Sequence, residues 1–416
     1  MNRLATFAAV FVLTVVQATA VTFSEAFADS TLRVDYVMTG RADTGESSVA
    51  FGRLSRSNRW YGRRHSLDRP VLAGAADVTV TDRQTGDTLY RESFSTLFQE
   101  WLVTGDRSGP RSMPGVALVP YPRRAVDVTV TLRDNRRRTV CSSTLAVDPS
   151  DILIADRTGR RAVPRLTVYR GEAPDSAKIR VGILAEGYTE AEMPDFISHA
   201  REAADAILGH EPFASLAERF DFVAIETPSA DSGVSVPAQG RWADTAFGSH
   251  FSTFYSDRYL TTERADAIAD ALEGTGCTHA IILANTDVYG GGGIYNFYTL
   301  TAARNELFHP VVVHEFGHSF GGLGDEYFYD STDALDNTYP TDIEPWEPNI
   351  TTLVEQPCKW QGLIDAGRAS LVEGAGYRSR GLWRGADNCR MRTNTADRFC
   401  PVCVDAIRRV IEFYTE

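Results

Sequence analysis

The chain has 416 residues, 43% of them hydrophobic, and a formal net charge of -13. That length holds two or three domains with full cores. An acidic chain without a basic cluster excludes nucleic acid as partner. Arginine carries nearly all the positive charge, and no function follows from that.

Met1-Asn2-Arg3 is a basic start, Leu4 to Val16 an apolar run, and Ala18-Thr19-Ala20 an A-x-A cleavage site. Residues 1–20 therefore read as a signal peptide cleaved after Ala20. The mature protein is expected to be secreted, periplasmic or extracellular, with no membrane attachment. An uncleaved anchor is the rival, but the run falls short of the roughly 20 residues a span needs.

Residues 21–160 read as an N-terminal β-sandwich domain, Ig-like or jelly-roll. Strands are expected over 31–38, 77–81, 126–132 and 142–147, where β-branched residues recur or alternate. Turn signals at 84–87 and at Asp134-Asn135 separate them. No His, Cys or carboxylate cluster stands there, so the domain is expected to be a packing platform or an aid to substrate presentation. Residues 161–177 read as a linker.

From 178 to 416 strands and helices alternate, as in an α/β domain. Strands are expected over 179–185, 220–225, 279–283 and 294–301, and a helix over 264–272. Thr189 and Glu192 form a capping box that opens a helix through about Leu208.

The stretch 311–328, VVVHEFGHSFGGLGDEYF, carries the chemistry. His314 and His318 stand four apart, on one face of a helix, and can reach one metal ion. Glu315 beside them can hold a water near that metal as general base. HExxH alone also arises by chance in ordinary amphipathic helices. Here the apolar run before it, Pro310 in the first turn and the glycines Gly321, Gly322 and Gly324 after it suit a buried site helix. A catalytic zinc takes three protein ligands and keeps one open position. The turn offers Asp325 as the third, with Glu326 the fallback or an orienting partner of a histidine. In the metzincin pattern the third ligand lies ten residues after the first histidine. That position is Gly324 here, one before Asp325. Downstream, Met391 within Asn388–Arg392 suits a methionine turn beneath the metal, although a lone Met more often packs a core. The fold class expected is a metzincin-like α/β zincin behind the β-sandwich domain.

The cysteines are Cys141, Cys277, Cys358, Cys389, Cys400 and Cys403. In an exported protein the last four favour disulfides of unassigned pairing. A zinc site of those four thiolates is the rival, and Cys141 and Cys277 are expected free. His65, His199, His210, His250, His279 and His309 lack ligand spacing and read as structural or exposed.

These residues resemble the IgA-peptidase family of bacterial zinc metallopeptidases. The resemblance rests on LAEGYT at 184–189, DSGVSVP at 231–237, ANTD at 284–287, YGGGGIY at 289–295, HEFGHSFGGLGDEY at 314–327 and FCPVC at 399–403. It covers nearly the whole mature chain and implies a secreted zinc endopeptidase, but not that immunoglobulin is cut. Resemblance and position make Gly290 to Gly293 a bulged approach to a strand on the cleft rim. There Gly292, Gly293, Ile294 and Tyr295 would pair with a substrate backbone. A flexible turn is the alternative.

The function expected is peptide hydrolysis by metal-activated water, with one Zn2+, Glu315 as base and a protein or peptide as substrate. Tyr327, Tyr377 and Arg378 are candidate oxyanion donors. The alternatives are a zinc hydrolase of a non-peptide amide and a non-catalytic surface binding protein.

Overall fold

The computed structural model describes residues 22–416 apart from 105, 161, 330–337 and 356, so the signal peptide expected at 1–20 lies outside the described residues. The N-terminal part forms β1 (Phe27–Gly40), β2 (Ser47–Ser57), β3 (Ala76–Asp82), β4 (Thr88–Phe94), β5 (Arg111–Pro122), β6 (Val126–Arg133), β7 (Thr139–Val147) and β8 (Ala155–Asp156). They make two four-stranded sheets, ordered β5-β1-β2-β8 and β4-β3-β6-β7. Alternation decides which side faces in. On β6, Val126, Val128, Val130 and Leu132 are buried, while Asp127, Thr129, Thr131 and Arg133 between them are not. These valines share one core with Leu32, Val34 and Tyr36 of β1. Helix α1 (Leu97–Val103) starts at Thr96, whose hydroxyl accepts from the Gln99 N–H at 3.1 Å.

The second part is built on a six-stranded sheet. Its strands are β9 (Arg165–Arg170), β10 (Ile179–Glu186), β11 (Phe220–Ile225), β12 (His279–Ala284), β13 (Gly291–Ile294) and β14 (Tyr298–Ala302), in the order β13-β14-β12-β10-β11-β9. The four inner strands are parallel, and β13 and β9 run antiparallel at the edges. Both faces are covered, which explains the continuous apolar runs of the inner strands. Val181, Ile183 and Ala185 of β10 face a core shared with α2 (Met193–Leu208), α4 (Phe308–Ser319) and α5 (Pro401–Thr415). Leu184 of β10 and Ile282 of β12 face the other way, into the core that continues through α3 (Ala265–Leu272) and the N-terminal sheets. A three-stranded sheet of β15 (Ile350–Thr351), β16 (Val372–Ala375) and β17 (Arg378–Arg384) completes the fold, in the order β15-β17-β16.

Two sequence expectations change. Within the expected linker 161–177, Arg165 to Arg170 form the edge strand β9 on β11. Strand β11 is buried throughout, so the backbone groups on its outer edge need a partner. The expected strand 294–301 is instead a hairpin of β13 and β14. It reverses at Asn296, which takes φ +50 and donates its amide to the Ser93 carbonyl at 2.9 Å.

His279 of β12 is buried, with ring centroids 5.1 Å from Phe320 and 5.3 Å from Tyr414. Burial lowers it from 6.5 to about 4. Because the folded value lies below the unfolded one, the unfolded chain takes up this proton first. The stability tied to neutral His279 is complete above pH 6.5 and drains as pH falls towards 4. We expect His279→Phe to remove up to about 3 kcal/mol of the wild type's loss over that range. Urea midpoints at pH 7 and pH 4.5 check this; equal acid losses in both proteins would refute it.

Candidate active site

Helix α4 carries Pro310 in its first turn and ends where Gly322 turns left-handed at φ +61. The Gly322 N–H reaches the His318 carbonyl at 3.0 Å, and Leu323 N–H the Gly317 carbonyl at 3.1 Å, which satisfies the helix end. The chain then doubles back and returns Asp325 to the helix face.

There, His314 Nε2 and His318 Nε2 are 3.1 Å apart, and Asp325 Oδ1 lies 3.1 and 3.2 Å from them. The opposite nitrogens fix the tautomers. His314 Nδ1 donates to the Arg390 carbonyl at 2.9 Å, and His318 Nδ1 to the Leu323 carbonyl at 2.5 Å. With both rings neutral, each turns a lone pair inward, and three acceptors then meet with no donor between them. Such an arrangement calls for a cation, and two imidazole nitrogens with one carboxylate oxygen are a zinc donor set. A tetrahedral zinc with bonds of about 2.0–2.1 Å sets its ligand atoms roughly 3.3–3.4 Å apart, near these separations. The site draws positive charge: burial opposes charge on His318, yet without a metal the Asp325 carboxylate keeps a proton on it up to about 9, the charge a cation would supply in its place. Asp325 itself is held well below the usual range, by the His318 charge against the opposing effect of burial.

Around this triangle the supports are specific. Tyr377 donates its hydroxyl to Asp325 Oδ2 at 2.5 Å and so orients the carboxylate. Met391 is buried against the underside of α4 at Gly317, between the two histidines in sequence. The same turn supplies the Arg390 carbonyl to His314 and the Met391 carbonyl to the Glu326 N–H at 2.9 Å. Glu326 points away from the histidines. It accepts from Asn349 Nδ2 at 3.0 Å and faces Cys389, Cys400 and Cys403. The structure thus brings Asp325, and not Glu326, to His314 and His318.

Glu315 lies beside the triangle with its carboxylate against Gly291, and burial raises its carboxyl. Of the expected oxyanion donors, Tyr377 is engaged with Asp325, Arg378 is not among the residues lining the cleft, and Tyr327 lines it, its ring 6.4 Å from that of His314. Of the expected substrate edge, Gly292 and Ile294 face Leu300 and Tyr298 of β14, and Gly291 bonds to Arg258 and Leu260. Tyr295 accepts from the Ser95 N–H of the N-terminal part at 2.9 Å.

The cleft has a volume of about 1030 Å³ and is walled by both parts of the chain. Glu100 of α1 lines it and accepts from the Tyr259 hydroxyl at 2.5 Å, and burial pushes its carboxyl up to about 7. Glu100 was not among the expected site residues, because no cluster of His, Cys or carboxylates marks it in the sequence. Nor was Arg258, whose guanidinium lies 5.8 Å from the Tyr327 ring.

The expected disulfides do not form among the described cysteines, all of which are free. The Cys389 and Cys403 sulfurs stand 3.7 Å apart, beyond a bond of about 2.05 Å. The physical reason is that these thiols converge on Glu326 instead of pairing, and Cys358 lies outside the group.

The N-terminal part forms one wall of a cleft over an α/β part that holds His314, Glu315, His318 and Asp325. A family model described as IgA Peptidase M64 matches residues 170–372, and one described as Peptidase M64 N-terminus matches residues 22–143. The chain belongs to the IgA peptidase M64 family, and its substrates are proteins or peptides. The first match contains His314 to Asp325 and stops before Met391. No curated protein matches the chain.

Proposed function

We propose that this peptidase is a secreted, zinc-dependent endopeptidase with a metzincin-like zincin fold behind an N-terminal β-sandwich. The observation that carries the zinc is the convergence of His314 Nε2, His318 Nε2 and Asp325 Oδ1 with their protons directed elsewhere. When bound, zinc supplies Lewis acidity that makes a water acidic near pH 7 and polarises the scissile carbonyl. Glu315 takes the proton of the attacking water and returns it to the leaving amine, a role suited by its burial-raised carboxyl. Tyr327, which lines the cleft while Tyr377 is engaged with Asp325, would donate its hydroxyl to the developing oxyanion. The period of two along β13 turns the backbone of Gly293 to the same edge as that of Gly291, beyond the 258–260 segment that Gly291 bonds. A substrate strand would pair there. Secretion rests on the leader at residues 1–20.

The test measures zinc content and casein hydrolysis for the mature protein and His318→Ala, with and without a chelator. We expect His318→Ala to lose one equivalent of zinc and all hydrolysis, and the chelated wild type to recover on adding zinc. Hydrolysis that survives both treatments would overturn the proposal. Zinc bound at His318 without cleavage of any protein would redirect it to a non-peptide amide.

A further inference from the structure

Glu326, Cys389, Cys400 and Cys403 are all buried, and their ligand atoms lie within 4.8 Å of one another. Cys400 and Cys403 open α5 as a C-P-V-C step, with Cys400 at the helix N-cap. Cys389 comes from the methionine turn, and Glu326 from the residue after Asp325. The spacing is too long for a disulfide. A tetrahedral zinc with bonds to sulfur of about 2.3 Å holds two thiolate sulfurs about 3.75 Å apart. Cys389 Sγ and Cys403 Sγ stand at 3.7 Å. With a bond to oxygen of about 2.0 Å, the same geometry sets oxygen and sulfur about 3.5 Å apart. Glu326 Oε1 lies 3.1 Å from Cys403 Sγ and 3.9 Å from Cys400 Sγ, on either side of that value.

Two further observations point to a ligand. Glu326 is 0% exposed, and its Oε2 has no hydrogen-bond partner among the described residues. A buried carboxylate among three thiols is charged only beside a compensating cation. The Cys400 N–H also donates to Cys389 Sγ at 3.2 Å, a contact that suits a thiolate. The buried guanidiniums of Arg384 and Arg390 stand within electrostatic reach of Cys389 and offset the site's excess negative charge.

We propose that Glu326, Cys389, Cys400 and Cys403 bind a second, structural zinc ion. Four protein ligands leave no open position, so the site takes no substrate. It clamps α5 to the turn beneath α4 and to the backbone next to Asp325, where the Glu326 N–H meets the Met391 carbonyl. It is the staple that sequence reasoning assigned to disulfides, made with metal. This proposal does not rest on the catalytic one, because the two sites share no ligand.

The full mature chain, purified after export, decides it by metal count, thiol titration after chelation in denaturant, and cobalt substitution. We expect two zinc ions in the wild type and one each in His318→Ala and Cys403→Ser. We also expect six titratable thiols, the number of cysteines in the chain. The cobalt-substituted protein should show a thiolate charge-transfer band that His318→Ala keeps and Cys403→Ser loses. Should Cys403→Ser fail to fold, Cys403→His replaces it and is expected to keep the metal and shift the band. A disulfide among Cys389, Cys400 and Cys403, or a wild type whose only metal is lost in His318→Ala, would overturn the proposal.

Discussion

Glu315→Gln is expected to lower the turnover of a peptide substrate roughly a thousandfold while leaving the zinc content of the protein unchanged. The two expectations come from one geometry. His314, His318 and Asp325 make the ligand triangle, with atoms 3.1–3.2 Å apart, and Glu315 is outside it. Its carboxylate lies instead against Gly291 on the cleft wall. Gln has nearly the same shape but cannot accept and return a proton, so the variant removes base chemistry and little else. Folding should not suffer, because burial already disfavours the Glu315 charge. kcat, zinc content and the thermal midpoint, measured together, check this. If kcat fell less than tenfold with metal retained, another group would be the base. Glu100 is then the carboxyl to test by Glu100→Gln, since it lines the same cleft.

The parts of the site that were legible in the sequence are those fixed by local geometry. His314 and His318 share a helix face whatever the rest of the chain does. The glycines after them mark a helix end, and Gly322 does adopt the left-handed turn. The choice between Asp325 and Glu326 was not legible to the same degree, because it depends on distant partners. Tyr377 draws Asp325 towards His314 and His318, and Met391 and Asn349 hold Glu326 to the other side. The C-terminal cysteines show the same limit. Their number suggests a staple, but whether they pair or converge depends on Glu326, which lies more than sixty positions before Cys389 in the chain. Glu100 had no local signal at all. It sits on a short helix whose Phe98 and Trp101 are buried, and only the docking of the two parts brings it to the cleft. The strand β9 was hidden by flanking Arg, Gly and Pro. The hairpin at Asn296 was hidden by apolar residues on both sides, with Asn296 itself the only turn signal.

Gly293→Ala is expected to lower kcat/KM roughly a hundredfold, although Gly293 is not among the candidate metal ligands. A Cβ at this position would stand 2.4 Å from the Glu315 carbonyl oxygen and 2.8 Å from His318 Cβ. Neither neighbour is the free end of a flexible side chain. The carbonyl belongs to the helix backbone, and His318 Cβ is fixed by the ring's bonds to Leu323 and Asp325. Relief therefore requires β13 and α4 to separate by about 1 Å, and overpacking of this kind costs about 1–3 kcal/mol or more. Moving α4 displaces Glu315 and His318 together, and a misplacement of about 1 Å lowers kcat/KM roughly a hundredfold. Moving β13 instead shifts the edge on which a substrate strand would lie, with a loss of similar size expressed mainly in KM. Gly159→Ala is the control, since nothing lies within 4 Å of its added Cβ, and it should be silent. Kinetics and urea unfolding of the two variants check this. A Gly293→Ala enzyme with wild-type kcat/KM and stability would mean that contact between β13 and α4 does not position Glu315. The run of glycines would then act as a flexible turn. A loss in Gly293→Ala beside a silent Gly159→Ala would identify the run as the place where a strand without side chains lies directly on the catalytic helix.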